Sequence, residues 1–135
     1  MIDAAAINQS DVLGEVRRAF DEYEAALRRH EVETLNGFFL QRPDTVRFGI
    51  AEHNYGAAAI AAWRRQAHCV GADRRLLRVV VVSFGPDCAS VSAEFESAQS
   101  PRRGRQSQLW VRCADGWKIA AAHVSEVDPE QLVSS

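Results

Sequence analysis

The sequence is poor in cysteine and proline and lacks any long apolar run. Its 135 residues include three cysteines and four prolines. The cysteine count is odd and no Cys-x-x-Cys pair occurs, which argues against a disulfide framework or a zinc site. No apolar segment approaches the roughly 20 residues that a membrane-spanning helix needs. The formal net charge is -2, so the chain as a whole lacks the basic surface that nucleic-acid-binding proteins use.

The composition that remains is typical of one soluble globular domain. Hydrophobic residues make up 47% of the chain and charged residues 25%, and this length suits a single core. We expect one domain over residues 1–135 with an ordered core of about 8–128, followed by a loose tail to Ser135. The N-terminal segment has no basic stretch followed by an apolar run, so no signal peptide is indicated and a cytoplasmic protein is expected.

The first helix has the clearest pattern. Apolar residues recur at helical spacing from position 12 to position 27, which predicts a buried stripe. Asn8 and Ser10 offer N-cap oxygens, and the helix is expected to reach about Arg29. The stripe consists of Val12, Val16, Phe20, Tyr23 and Leu27. Charged residues, among them Glu24, are assigned to the other faces.

Three further elements precede the long strands. A short helix is predicted over about Val32–Phe39, a strand over Thr45–Ile50 and a third helix over about Ala57–Ala67. On the strand, Val46 and Phe48 share one face and Arg47 lies on the other. In the third helix, Arg64 and Arg65 are expected to be exposed; the alternative is that one of them lines the entrance of a cavity.

The remainder is predicted as four antiparallel strands. They cover Arg75–Phe84, Ala89–Ser97, Arg105–Cys113 and Trp117–Val127, with turns at 85–87, 100–104 and 115–116. The run Val79–Val82 reads as a buried strand, and Trp110 and Trp117 as packing residues. Helices segregated from an antiparallel sheet give an α+β fold, with a curved sheet wrapped around the three N-terminal helices.

The last hairpin predicts a lined cavity. Simple alternation puts Gln106, Gln108, Trp110, Ala121, His123 and Ser125 on one face. Buried polar groups without partners are unfavourable, so this mixture is more typical of a cavity than of a dry core. We predict Gln106, Gln108, His123, Ser125 and the loop residue Asn54 as substrate-binding residues. The alternative is a hydrogen-bonded polar patch in a vestigial cavity. The histidines follow no metal-binding spacing, so no metal and no cofactor are expected.

Several segments carry a resemblance to a known family. They are the helix around Tyr23, RPDTVRFGIAEHNYG (42–56), LLRVVVVSFG (76–85), GRQSQLWVR (104–112) and GWKIAAAHVS (116–125). From about Asp11 to Asp128 the chain resembles the cone-shaped nuclear-transport-factor-two-like superfamily, which includes SnoaL-like domains and ketosteroid isomerase. Within it, the chain is most similar to the AtzH-like family, which is associated with cyanuric acid and oxalurate catabolism.

The resemblance implies a metal-independent amidohydrolase or decarboxylase that converts dicarboxyurea to allophanate. The tyrosine and arginine implicated in the family correspond to Tyr23 and Arg47, the expected catalytic residues. Arginine can hold a carboxylate through two parallel hydrogen bonds. Two alternatives remain open: Tyr23 can be an ordinary core tyrosine, and Arg47 is solvated if Val46 and Phe48 pack inward.

The expected partner is a small anionic substrate, and neither nucleic acid nor membrane. A homodimer or homo-oligomer is also expected, because exposed half-apolar sheet faces are usually covered. Two other functions stay open: a non-enzymic module that binds small acids, and an accessory subunit associated with an amidase.

Overall fold

Three helices pack against the inner face of one curved six-stranded sheet. The structure, a computed structural model, describes residues 1–133. Short 3-10 turns flank the main elements at Ala4–Ala6 and Pro129–Gln131. The helices are α1 (Ser10–Arg29), α2 (Val32–Gly37) and α3 (Ala57–Gln66), and the strands are β1 (Val46–Phe48), β2 (His53–Tyr55), β3 (Arg75–Ser83), β4 (Cys88–Ser97), β5 (Ser100–Cys113) and β6 (Gly116–Val127).

The strand order is β2-β1-β6-β5-β4-β3. All neighbours are antiparallel except β1 and β6, which pair in parallel. The predicted α+β cone is therefore confirmed, with a mixed rather than purely antiparallel sheet. Because β1 lies beside the last strand, it brings its side chains next to those of β6 and β5.

The helix α1 buries the predicted stripe completely. Its apolar residues face the sheet and are at most 5% exposed: Val12, Val16, Phe20, Tyr23 and Leu27. Glu24, assigned to a polar face, is instead 1% exposed. Most of the core therefore lies between this helix and the sheet, where Trp110 and Ile119 are fully buried and Trp117 nearly so.

The predicted N-cap of α1 is wrong. The cap residue is Gln9, which makes no side-chain cap hydrogen bond. Asn8 instead accepts a hydrogen bond from the backbone N–H of Ser83, at 2.9 Å. The asparagine thus fastens the N-terminal segment to the end of β3 instead of starting the helix.

Two segments predicted as loops are strands. The turn between β4 and β5 lies at Ala98 and Gln99, and β5 already begins at Ser100. The predicted turn at 100–104 is therefore wrong. Residues His53–Tyr55 form β2, which pairs with β1.

The strand β6 contains a bulge that changes which residues face inward. Leu109 of β5 lies opposite Ala121, but the next residue, Trp110, lies opposite Ile119, so Ala120 has no partner. An extra residue reverses the alternation of side chains along a strand. Trp117 and Ile119 face inward before the bulge, whereas the even-numbered residues from Ala122 to Glu126 face inward after it.

The strand β3 forms one edge of the sheet and is only half-buried. Val79 and Val81 pack against the core, but Val80 is 42% exposed. The prediction of a buried strand over Val79–Val82 is thus wrong for its outer face. Through residue 133, no helix is both long and apolar enough to cross a bilayer. Ser134 and Ser135, part of the expected loose tail, lie outside the described residues.

Candidate active site

A cavity of about 420 Å³ opens between α1, α3 and the inner face of the sheet. This volume suits a small ligand, and a mixture of aromatic and convergent polar groups is typical of ligand sites. The lining residues include Tyr23 and Leu27 of α1, Arg47 of β1, Trp63 and Arg64 of α3, Gln106 and Gln108 of β5, and Ala122, Val124 and Glu126 of β6, together with Glu52, His68 and Arg74 from connecting loops.

Tyr23 reaches the cavity from the buried stripe of α1. Its ring makes edge-on contacts with Phe38, Phe39 and Trp110, with centroid distances of 5.7, 6.3 and 6.3 Å. Its hydroxyl oxygen accepts a hydrogen bond from Nη2 of Arg64, at 3.3 Å. The aromatic contacts fix the ring, so the phenol has a defined direction at the cavity wall.

Arg47 also faces inward, and only 7% of it is exposed. Its guanidinium carbon lies 3.7 Å from the centroid of the Trp63 ring. Its Nη1 donates to Oδ1 of Asn54 at 3.2 Å and lies 3.5 Å from Oε1 of Glu52. Val46 and Phe48 occupy the opposite face of β1, so the alternative of a solvated Arg47 does not hold in this structure.

The charge on Arg47 is costly in this environment. Burial lowers the pKa of Arg47 below its usual value, and the positive charge of Arg64 lowers this pKa further. Tyr23 and Glu52 act in the opposite direction. A guanidinium remains charged even so, and an anion bound beside it would relieve the burial penalty.

Arg64 was expected to be exposed, with a place at the cavity entrance as the alternative. It is only 4% exposed and lines the cavity, and its guanidinium carbon lies 4.6 Å from the centroid of Trp63. The neighbouring Arg65 is exposed and pairs with Glu33. The signal that could have found Arg64 is its position four residues after Ile60, which puts both side chains on the buried face of α3.

A fully paired ion cluster forms another part of the wall. Arg74 donates to both carboxylate oxygens of Glu24, at 3.0 and 3.3 Å, and to Gln106 at 3.3 Å. Gln106 in turn donates to Glu24 at 3.2 Å. We call Glu24, Arg74 and Gln106 the closed cluster. Glu24 too could have been found from spacing, because it lies four residues after the buried Phe20.

The other predicted substrate-binding residues lie on different faces of the sheet. Gln108 lines the cavity and accepts a hydrogen bond from Nε1 of Trp110, at 3.0 Å. Asn54 is buried and contacts Arg47 rather than lining the cavity itself. His123 and Ser125 lie on the outer face, opposite Ser107 and Arg105. Their predicted placement in the cavity is wrong, because the bulge at Ala120 reverses the face of every later residue in β6.

The sequence matches a known family. A family model described as AtzH-like matches residues 5–130. No curated protein has a significantly similar sequence.

Several solved structures share the fold of this chain, and two of them also share much of its sequence. A cystatin-like fold protein from Burkholderia xenovorans is 49% identical, with a TM-score of 0.88 over 90% of this chain and 96% of that one. A protein of unknown function from Pectobacterium atrosepticum is 40% identical, with a TM-score of 0.91 over 95% and 100% of the two chains. An NTF2-like protein of unknown function from Pseudomonas putida is 17% identical, with a TM-score of 0.74 over 94% and 95%. This last likeness concerns the fold alone.

Proposed function

Because this chain belongs to the AtzH-like family, we propose that it is a small enzyme that removes one carboxyl group from dicarboxyurea and releases allophanate. The observation that carries this proposal is that the Tyr23 phenol and the Arg47 guanidinium line the same cavity. The reaction would belong to the breakdown of cyanuric acid or of related nitrogen compounds.

The reaction needs only a proton donor and polar groups that stabilise the charge developing on the nitrogen. Dicarboxyurea is a dianion with a carboxylate on each nitrogen. The bond between one nitrogen and its carboxyl carbon breaks, carbon dioxide leaves, and the nitrogen takes up one proton, so the product is the allophanate monoanion. Neither a nucleophile nor an electron transfer is required. Groups that are already oriented toward the developing charge can supply most of the acceleration.

Arg47 suits the binding of the substrate carboxylate, and Tyr23 suits the donation of a proton or hydrogen bond to the nitrogen. Arg47 would hold the carboxylate that remains in the product, since its guanidinium can pair with a carboxylate in two places. Tyr23 would donate a hydrogen bond or a proton to the nitrogen as the bond breaks. Gln108, whose oxygen accepts from Trp110, would orient the urea carbonyl through its amide N–H groups. Gln106 would contribute only the amide hydrogen and the oxygen lone pair that Glu24 and Arg74 leave unused.

The direct test replaces Tyr23 with Phe and Arg47 with Lys in the purified protein. Allophanate formation from dicarboxyurea is followed, with the uncatalysed loss of carbon dioxide subtracted. We expect Tyr23→Phe to lower the rate by roughly 100-fold or more. Arg47→Lys should lower kcat/KM by about tenfold or more, because lysine lacks the planar fork. Wild-type rates in both folded variants would defeat the proposal.

The same assay separates the enzyme from the other two functions. Turnover by the purified chain alone supports an enzyme. Turnover that requires an added amidase supports an accessory subunit. Binding of a small dicarboxylate without any turnover supports a binding module.

We also propose that a second copy of this chain covers the outer face of the sheet. Phe48, Val80 and Leu109 contribute apolar surface there, and Val80 and Leu109 are 42% and 39% exposed. The neighbouring Tyr55 is 65% exposed. Exposed apolar patches of this kind are commonly covered by a partner. Sedimentation at micromolar concentration should show a dimer, and a clean monomer would contradict this.

A further inference from the structure

We propose that Arg64 is a second anion-binding residue and that the cavity is a receptor for a dicarboxylate. Arg64 would hold the carboxyl group that reacts, beside Tyr23, while Arg47 holds the remote one. This inference rests on the proposed function for the identity of the substrate. Its physical basis is independent, because it follows from how the charges inside the cavity are paired.

Arg64 is a buried cation whose charge is not balanced. Within residues 1–133, none of its nitrogens forms an ion pair with an acidic side chain, and its Nε has no hydrogen-bond partner. Its one side-chain hydrogen bond in this part of the chain goes to the hydroxyl oxygen of Tyr23, at 3.3 Å. A buried charge without a partner is strongly unfavourable. A bound anion would supply both the missing charge and the missing acceptor.

The remaining charges of the cavity are already paired. Arg74 is held by Glu24, and Glu126 lies 3.9 Å from Arg102 and accepts a hydrogen bond from Ser100. Arg47 lies 3.5 Å from Glu52, whose side chain is 25% exposed at the cavity edge. Glu52 can therefore move toward solvent when a ligand carboxylate reaches Arg47. A ligand that binds Arg47 and Arg64 together then needs two negative charges.

The two arginines have different neighbours, which gives them different carboxylates of one ligand. Both guanidiniums lie against the ring of Trp63, at 3.7 Å for Arg47 and 4.6 Å for Arg64. Only Arg64 donates to the phenol of Tyr23. A carboxylate on Arg64 would thus lie beside the proposed proton donor, whereas a carboxylate on Arg47 would lie beside Asn54 and Glu52.

The test compares two stable probes, glutarate and glutaramate. Glutarate has the chain length of dicarboxyurea and a carboxylate at each end, and glutaramate has a neutral amide in place of one carboxylate. By calorimetric titration, the wild-type protein should bind glutarate at least about tenfold more tightly than glutaramate, because hydrogen bonds to charged groups are the stronger ones.

Substitution of Arg64 should remove this preference. In Arg64→Gln, affinity for glutarate should fall about tenfold or more and approach that for glutaramate. Arg64→Lys should restore part of the preference, since it keeps the charge but not the fork. The matched control is Arg65→Gln on the same helix, where the arginine is exposed and pairs with Glu33; it should keep the wild-type preference.

Thermal unfolding separates binding from a structural role. Without ligand, Arg64→Gln should melt at the wild-type temperature or above it, because an unbalanced buried charge has been removed. Glutarate should raise Tm in the wild type and far less in the variant. A lower Tm of the ligand-free variant would make Arg64 a structural residue and overturn the proposal.

Two other results would also overturn it. One is equal affinity of the wild type for both probes, and the other is an unchanged preference in Arg64→Gln. Failure of the proposed function looks different: the wild type would prefer glutarate yet make no allophanate. If instead both the wild type and Arg64→Gln make allophanate equally well, the function stands and the role of Arg64 fails.

Discussion

Of the three buried arginines that line the cavity in residues 1–133, Arg74 and Arg64 differ most in how their charges are balanced. Arg74 belongs to the closed cluster, where Glu24 and Gln106 satisfy it within the chain. Arg64, equally buried, has only the phenol of Tyr23 as a side-chain partner in the described part of the chain. The two guanidiniums are similarly buried but differently paired. Arg74 therefore helps to hold the fold together, whereas Arg64 is left available for a ligand.

The comparison also applies to the aromatic residue beneath each guanidinium. Arg74 lies 3.7 Å from the ring centroid of Phe95, and Arg64 lies 4.6 Å from that of Trp63. Both rings offer a face to a cation, which contributes favourably. The difference between the two sites therefore lies in the carboxylate, which Arg74 has and Arg64 lacks. Removing the carboxylate of Glu24 should therefore leave Arg74 unbalanced, as Arg64 already is.

The largest effect on stability is expected from Glu24→Gln. This change leaves the charge of Arg74 buried without an anion, and breaking a buried pair typically lowers the free energy of unfolding by about 3–5 kcal/mol. Urea denaturation of both proteins measures the difference. If the variant loses less than about 1 kcal/mol, the closed cluster does not hold the fold together.

The control for this change is Asp21→Asn, one turn earlier in α1. Asp21 pairs with Arg17 at 2.9 Å, but their side chains are 56% and 49% exposed. An exposed pair of this kind contributes about 1 kcal/mol at most. A loss as large as that of Glu24→Gln would show that charge alone, rather than burial, explains the effect.

A smaller effect is expected from Gly104→Ala, which tests the packing behind Arg74. Gly104 lies in β5 opposite Phe95, and a methyl group at position 104 would overlap the Phe95 ring. The ring, which stacks on Arg74, would have to move, and such overpacking usually lowers the free energy of unfolding by about 1–3 kcal/mol. Thermal or urea unfolding measures this loss.

Gly14→Ala is the matched control, since it adds the same methyl group on the exposed side of α1. Apart from its chain neighbours and the helix's own backbone, no atom lies within 4 Å of the added methyl group. Alanine favours a helix over glycine by about 1 kcal/mol, so this variant should be more stable than the wild type. Equal destabilisation by both changes would contradict the packing role of Gly104.

Local patterns predicted much of this molecule correctly. The spacing of Val12, Phe20 and Leu27 determined which face of α1 is buried. Alternation placed Arg47 opposite Val46 and Phe48 on β1, but it left open which of the two faces is inward. The same periodicities extend to Glu24 and Arg64, which lie four residues after buried apolar residues. They were assigned to the surface because of their charge, although position in the helix decided their burial.

The positions of His123 and Ser125 could not be obtained in this way. They depend on the bulge at Ala120, which lies within the run Ala120–Ala122. Three alanines give no apolar–polar alternation, so the sequence carries no signal of a change in face. A bulge is visible only when the register against β5 is known, because it is a property of two paired strands rather than of one segment.

The smallest effect, on binding rather than on stability, is expected from Glu52→Gln. Glu52 lies 3.5 Å from the buried Arg47, but its own side chain is 25% exposed and Arg47 also donates to Asn54. The free energy of unfolding should therefore fall by less than the roughly 3–5 kcal/mol expected for Glu24→Gln. Once the charge of Glu52 is removed, however, a ligand carboxylate no longer has to compete with it for Arg47. Glutarate should therefore bind roughly a few-fold more tightly, measured by calorimetric titration.

The control is Glu33→Gln, at the exposed partner of Arg65, which should leave this affinity unchanged. Weaker glutarate binding in Glu52→Gln would mean that Glu52 orients Arg47 for the ligand. The ligand site would then depend on a carboxylate of the protein, as the closed cluster depends on Glu24.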